Sequence, residues 1–252
     1  MRVVIIGAGN VATVLGCRIK KYGHQIMQVV SQHSESAKAL ADILSCAFVI
    51  DSKAIDPTAD IYIIAVTDSS IKEIGEKYKL HNKLVVHTAG SVSKEILKNT
   101  SSNYGVLYPL QSLRKERIEM QKNMPLLVDG NTTDSLYMLQ NFAKSISSNV
   151  SFANDQKRLK LHVAAVLVSN FTNQLYTLAA EYCKGESIDF TLLSPLIEET
   201  ALRLRRLQPI EMMTGPAVRG DIKTIESHLG MLDSYPHIQN IYLKMTESIM
   251  TY

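Results

Sequence analysis

The chain has 252 residues, 46% of them hydrophobic and 20% charged, with a formal net charge of +3. That composition excludes a disordered chain and gives no basic field of the strength that nucleic-acid binding requires. Three cysteines, Cys17, Cys46 and Cys183, stand far apart with no C-x-x-C spacing, which predicts a reduced cytoplasmic protein without structural zinc; the histidines show no metal-ligand spacing either.

The first element in chain order is an apolar run at 3–6, which breaks at Gly7-Ala8-Gly9-Asn10 with no cleavage-type region after it. It is a strand entering a turn rather than a secretory leader, and no later run approaches the length of a membrane span. Further β-rich runs follow at 26–30, 47–50, 61–65, 84–87, 104–108, 126–128 and 150–152. Helical patterns separate several of them, for example Leu136, Leu139, Phe142, Ala143 and Ile146. Strands apolar at successive positions are covered on both faces, and their alternation with helices predicts an α/β, doubly wound, mainly parallel sheet over 1–152.

After 152 the β-runs stop. Asn154 or Asp155 can cap a helix running to about Lys184, where Gly185 ends it. Helices over about 194–207, 222–232 and 236–249 complete an all-α C-terminal domain, 153–252. The long helix is apolar on nearly every side, so the expectation is a central, buried element. At 100° per residue, His162, Ser169, Asn173 and Thr177 fall within an arc of about 80°, with Asn170 at its edge. Polar groups buried together need partners, supplied either by a ligand or by helix packing and a homodimer surface.

The most specific chemical signal is Gly7-Ala8-Gly9-Asn10-Val11-Ala12, a G-x-G-x-x-A between a buried strand and a helix. Gly7 permits the tight turn, Gly9 close approach of a pyrophosphate, and Ala12 close helix–strand packing; the amides opening the helix at Asn10 and Val11 face the phosphate. This is the Rossmann dinucleotide fingerprint. An NAD-selective domain places a carboxylate at the end of the second strand, but here that strand ends Val30-Ser31-Gln32-His33-Ser34. Ser31, His33 and Ser34 can hydrogen-bond a 2′-phosphate, so NADP is preferred and NAD kept as the alternative.

Two further strand ends face the same crevice. Val66 and Thr67 can line the dinucleotide, with Asp68 capping the next helix; His87, in His87-Thr88-Ala89-Gly90-Ser91, either donates a proton or makes a structural hydrogen bond. Thr214-Gly215-Pro216-Ala217-Val218-Arg219-Gly220-Asp221 is a dense turn in which Asp221 can cap a helix. Its Arg219 either binds an anionic group of a substrate or pairs with a local acid.

At Gly7-Ala8-Gly9-Asn10-Val11-Ala12, Ala65-Val66-Thr67-Asp68, His87-Thr88-Ala89-Gly90-Ser91, 162–170 and 214–219, the chain resembles a family that joins a Rossmann-like domain to a helical domain of unknown function. More distantly it is similar to pyrroline-5-carboxylate reductase, the 6-phosphogluconate and 3-hydroxyacid dehydrogenases, and deazaflavin-dependent NADP oxidoreductases. The resemblance implies a fold and a cofactor class, not a substrate. The chain departs from those relatives at Tyr108-Pro109, where many carry His-Pro, and lacks the Lys-x-x-x-Asn pair of the 3-hydroxyacid dehydrogenases.

Together these readings predict an NADP-dependent oxidoreductase reducing a small carbonyl or imine in the cleft between domains. His87 or His162 is the proton donor, Asn170 or Asn173 positions the substrate, and Arg219 holds an anionic group. A nucleotide-binding regulator or redox sensor, and a dimeric scaffold, are the alternatives.

Overall fold

The structure is a computed structural model that describes residues 1–50, 54–120 and 123–251. Eight strands form one sheet: β1 (Arg2–Ile6), β2 (Gln25–Val30), β3 (Ala47–Val49), β4 (Ile61–Ile64), β5 (His81–His87), β6 (Ser101–Pro109), β7 (Leu126–Gly130) and β8 (Val150–Phe152). Their order is β3-β2-β1-β4-β5-β6-β7-β8. Every neighbouring pair is parallel except β6 with β7. Each β-run of the sequence is therefore a strand, and the reversal between β1 and β4 opens the crevice at which doubly wound sheets bind ligands.

Alternation along the strands divides the core into two layers. Val3 and Ile5 pack with α1 (Asn10–Lys21), α2 (Ser34–Leu44) and α4 (Thr133–Ile146). Val4, Ile6, Tyr62 and Ile64 face the other way, against α3 (Ile71–Lys77) and Leu97. Both faces are covered, which is why these strands read as unbroken apolar runs.

The chain divides into two compact units, Met1–Ser169 and Asn170–Tyr252. The sheet ends at Phe152, but α5 (Asp155–Ala165) belongs to the first unit. Its Asn154 cap accepts the amide of Lys157, and Arg158, 1% exposed, bonds the Val92 carbonyl. Compactness thus divides the chain some 17 residues beyond the end of the β-pattern, from 152 to 169.

The long helix departs from expectation in two ways. A π-helical segment, Val166–Phe171, interrupts it before α6 (Thr172–Gly185). Because i→i+5 turns rotate less per residue than α-helical ones, the arc projected for His162, Ser169, Asn173 and Thr177 does not carry across that segment. Nor is the helix buried: Val163, Leu167, Val168 and Phe171 are 55–75% exposed. An all-round apolar helix needs cover on every side, and those positions are open in the chain by itself.

The second unit is helical throughout its regular elements: α6, α7 (Ser194–Arg203), the short α8 (Pro216–Arg219), α9 (Ile222–Met231) and α10 (Pro236–Met250). Asp221 caps α9 by accepting the Thr224 amide. Among the described residues no helix is long and apolar enough to cross a membrane.

Candidate functional site

A cavity of about 410 Å³ opens at the carboxyl ends of β1, β2 and β4. It is lined by the Gly7–Val11 fingerprint, by Ser31 and His33 after β2, and by Val66 and Thr67 after β4. Ser34, the first residue of α2, is not among its lining residues. The structure thus brings together eight of the nine residues that the sequence assigned to a dinucleotide.

The two glycines of the fingerprint have different physical roles. Gly7 has φ +118°, and a Cβ there would collide with the Ala65 carbonyl oxygen. It lets β1 turn sharply beside β4. Gly9 is exposed, and a Cβ there would meet nothing within 4 Å, so this glycine leaves open space before α1. The first turn of α1 carries no acid and no side-chain cap, so the helix itself supplies no anion to its amides and positive dipole end. Asn10 Oδ1 accepts the backbone amide of Lys115, and the Thr13 hydroxyl donates back to the Gly9 carbonyl. Uncommitted amides behind an open glycine fit a pyrophosphate.

The second cluster lies past the end of β5. Asp68 does not cap the turn that contains it; its carboxylate accepts the Ser91 hydroxyl instead, tying the loop after β4 to the loop after β5. Next to Ser91, Gly90 is buried under two side chains: a Cβ there would lie 2.6 Å from His162 Nδ1 and 2.9 Å from Tyr108 Cζ. His162 Nδ1 and Tyr108 Oη are hydrogen-bonded at 3.0 Å, with their rings edge-on at a centroid distance of 6.0 Å. Burial, with the Asp68 carboxylate, raises the Tyr108 hydroxyl above its ordinary pKa. A partly buried imidazole–phenol pair is a proton-transfer unit, because each ring can hold the proton the other gives up.

His87 has a different environment. Its ring is completely buried, and Nδ1 accepts the Ala89 amide at 3.2 Å. In the neutral ring the proton is therefore on Nε2, for which no hydrogen-bond partner is found among the described residues. Burial and the Arg158 guanidinium push the pKa from 6.5 to about 4, against opposing pulls from the Ser93 backbone, Asp155 and Asp68. His87 is thus neutral at physiological pH.

Arg158 is the buried cation of the first unit. It bonds Asp155 Oδ1 at 2.8 Å, while its Nε and Nη1 have no hydrogen-bond partner among the described residues. Burial alone would raise the Asp155 carboxyl, yet hydrogen bonds from Ser93, Arg158 and the Lys94 amide hold it below the usual aspartate range. This network fixes the start of α5, about two helical turns before His162.

Asn170, Asn173 and Arg219 belong to the second unit, and all three are exposed. Asn170 lies in the π segment, and the Asn173 carbonyl accepts the Thr177 hydroxyl. Arg219 ends α8, just before Gly220 in the left-handed conformation. Sequence reasoning missed Tyr108 as the partner of His162, Arg158 as a buried cation, and Glu73 and Lys77, which line the cavity from α3. Only the last two left a signal, their i,i+4 spacing on one helical face.

Comparison with known proteins places these features in context. Residues 124–249 match the family described as Domain of unknown function (DUF2520), and residues 2–90 match that described as NADP oxidoreductase coenzyme F420-dependent. A Bacteroides fragilis protein, provisionally assigned as an NADP oxidoreductase, is 36% identical with a TM-score of 0.93, over 100% of this chain and 98% of that one. Pyrroline-5-carboxylate reductase of Streptococcus pyogenes is 13% identical with a TM-score of 0.67, over 100% of this chain and 99% of that one. An imine reductase of Myxococcus stipitatus in complex with NADP+ is 13% identical with a TM-score of 0.65, over 100% and 92%. At 13% identity the last two show a shared fold. No curated protein matches the chain.

Proposed function

Since this chain belongs to the DUF2520 family, we propose that it is an NADP-dependent oxidoreductase acting on a small carbonyl or imine compound. The observation that carries the reading is the link between the two clusters: Thr67 lines the cavity, the adjoining Asp68 binds Ser91, and Gly90 beside it lies under His162 and Tyr108. The cavity and the hydrogen-bonded His162–Tyr108 pair thus share one pair of loops. The provisional assignment of the Bacteroides fragilis protein and the NADP+ complex of the imine reductase agree with this class.

In this reading the amides of Asn10 and Val11 hold the pyrophosphate, Gly9 gives it room, and Ser31 and His33 meet the adenosine ribose. The nicotinamide supplies a hydride when bound. His162 donates the proton that the reduced carbonyl or imine takes up, and Tyr108 orients the ring and shares its proton. His87, neutral and closed from solvent, serves as a structural acceptor for Ala89. Asn170 or Asn173 hydrogen-bonds a polar group of the substrate, and Arg219 binds an anionic one. A cytoplasmic homodimer formed through the helical unit belongs to the same proposal, supported by exposed Leu192, Leu196 and Met231.

Calorimetric titration of the full chain with NADPH and NADH, followed by NADPH oxidation with a panel of ketones and cyclic imines, tests it. Tight NADPH binding with turnover is the expected result; binding of neither nucleotide overturns the reading and leaves the scaffold. His162→Gln should lower turnover at least ~100-fold with NADPH affinity within about twofold of wild type. Unchanged turnover removes His162 from the chemistry. For the dimer, a light-scattering mass of 28.0 kDa, that of one chain, at micromolar concentration rejects it.

A further inference from the structure

We infer that Lys77, at the end of α3, is the cation by which this chain distinguishes a 2′-phosphorylated dinucleotide from an unphosphorylated one. The inference rests on the dinucleotide reading of the same cavity and names the residue that sets its selectivity.

Domains of this fold read the 2′ position of the adenosine ribose by charge: a carboxylate for a hydroxyl, a cation for a phosphate. The end of β2 carries neither, since Ser31, Gln32, His33 and Ser34 include no Asp, Glu, Lys or Arg. Ser31 and His33 offer hydrogen bonds but no permanent charge, and the Ser31 hydroxyl oxygen already accepts the His33 amide. The same cavity is also lined from α3.

Glu73, Ile74 and Lys77 of that helix line the cavity, as does Tyr78 just after it. Ile74 and Tyr78 share one apolar cluster with Val30, the last residue of β2. The final turn of α3 and the end of the strand that would meet the adenosine ribose thus line one cavity, and Lys77 precedes Tyr78 there. Glu73 lies one turn earlier, nearer the Thr67–Ser70 loop on the pyrophosphate side. Lys77 is exposed and makes no ion pair with any carboxylate among the described residues. An ammonium with no ion pair among the described residues, lining the same cavity as the Ser31 hydroxyl and the His33 imidazole, completes the donor set a phosphate monoester takes.

Opposite charges one turn apart on the same helix make the test signed. NADPH and NADH are titrated calorimetrically into the wild type, Lys77→Met and Glu73→Gln, with adenosine 2′,5′-bisphosphate and adenosine 5′-monophosphate as probes of the adenosine end. Lys77→Met should weaken NADPH and the bisphosphate by roughly tenfold while NADH and the monophosphate stay within about twofold. Glu73→Gln should not weaken NADPH. Wild-type selectivity that survives Lys77→Met, or a loss shared equally by NADPH and NADH, overturns this inference alone. Binding of neither nucleotide by the wild type overturns the dinucleotide reading itself, and a wild type that prefers NADH overturns the assignment of NADP and of Lys77 together.

Discussion

In Met1–Ser169 the side chains of Ile5, Tyr62 and Phe142 are no more than 2% exposed, whereas in Asn170–Tyr252 Leu192, Leu196 and Met231 are 62–72% exposed. The sheet of the first unit buries its central strands under helices on both faces. The second carries similar residues on helices that leave them facing solvent. Burial of apolar area drives folding, so the same side chain contributes very differently in the two units. The largest expected effect tests that difference. Phe142→Ala should destabilise the chain by about 3–5 kcal/mol in urea unfolding, and Leu196→Ala by no more than about 0.5 kcal/mol for a single chain. If Leu196→Ala costs as much as Phe142→Ala, the helical surface is covered in solution and the contrast fails.

The same difference explains what could be read in advance. The central strands were legible because a strand covered on both faces must be apolar at successive positions, and Val3-Val4-Ile5-Ile6 could hardly be anything else. Gly7 and Gly9 were legible because their roles depend on backbone geometry and therefore on glycine itself. The helical segment at 155–184 was legible as helix but not in its burial, since periodicity shows which residues want cover and not whether the chain supplies it. Its phase failed because no residue pattern announces the π segment at Val166–Phe171. The pairing of His162 with Tyr108 joins α5 to β6 across 54 positions, a contact set by tertiary packing alone.

A second test uses acid. His87 binds its proton less readily in the folded chain than its ordinary 6.5, with a folded pKa of about 4. Between those values the unfolded chain takes up the proton and the folded one resists it, so unfolding is favoured as pH falls. This contribution to stability is complete above pH 6.5 and declines toward pH 4, by about 3 kcal/mol in all. Replacing His87 with a residue that does not titrate, as in His87→Gln, should flatten the stability profile over that window. A profile as steep as the wild type's would place the acid sensitivity of the sheet unit elsewhere.

The smallest effect lies in the helical unit and in a different pH range. The Asp221 carboxylate accepts the Thr224 hydroxyl and amide, and those bonds hold its pKa below 3.8. A carboxylate with a depressed folded pKa stabilises above its unfolded pKa and loses that contribution as pH falls through the folded one. The start of α9 should therefore stay protected through the window in which His87 weakens the sheet unit, and fray only below about pH 3.8. Hydrogen exchange at the Thr224 amide between pH 5 and pH 2.5 reads this directly. Asp221→Asn keeps a side-chain acceptor at the cap and removes the titrating group, so exchange at Thr224, corrected for its intrinsic rate, should lose its pH dependence while protection at pH 5 remains. Protection that falls between pH 6 and pH 4 in the wild type would mean that α9 follows the sheet unit's histidine rather than its own cap.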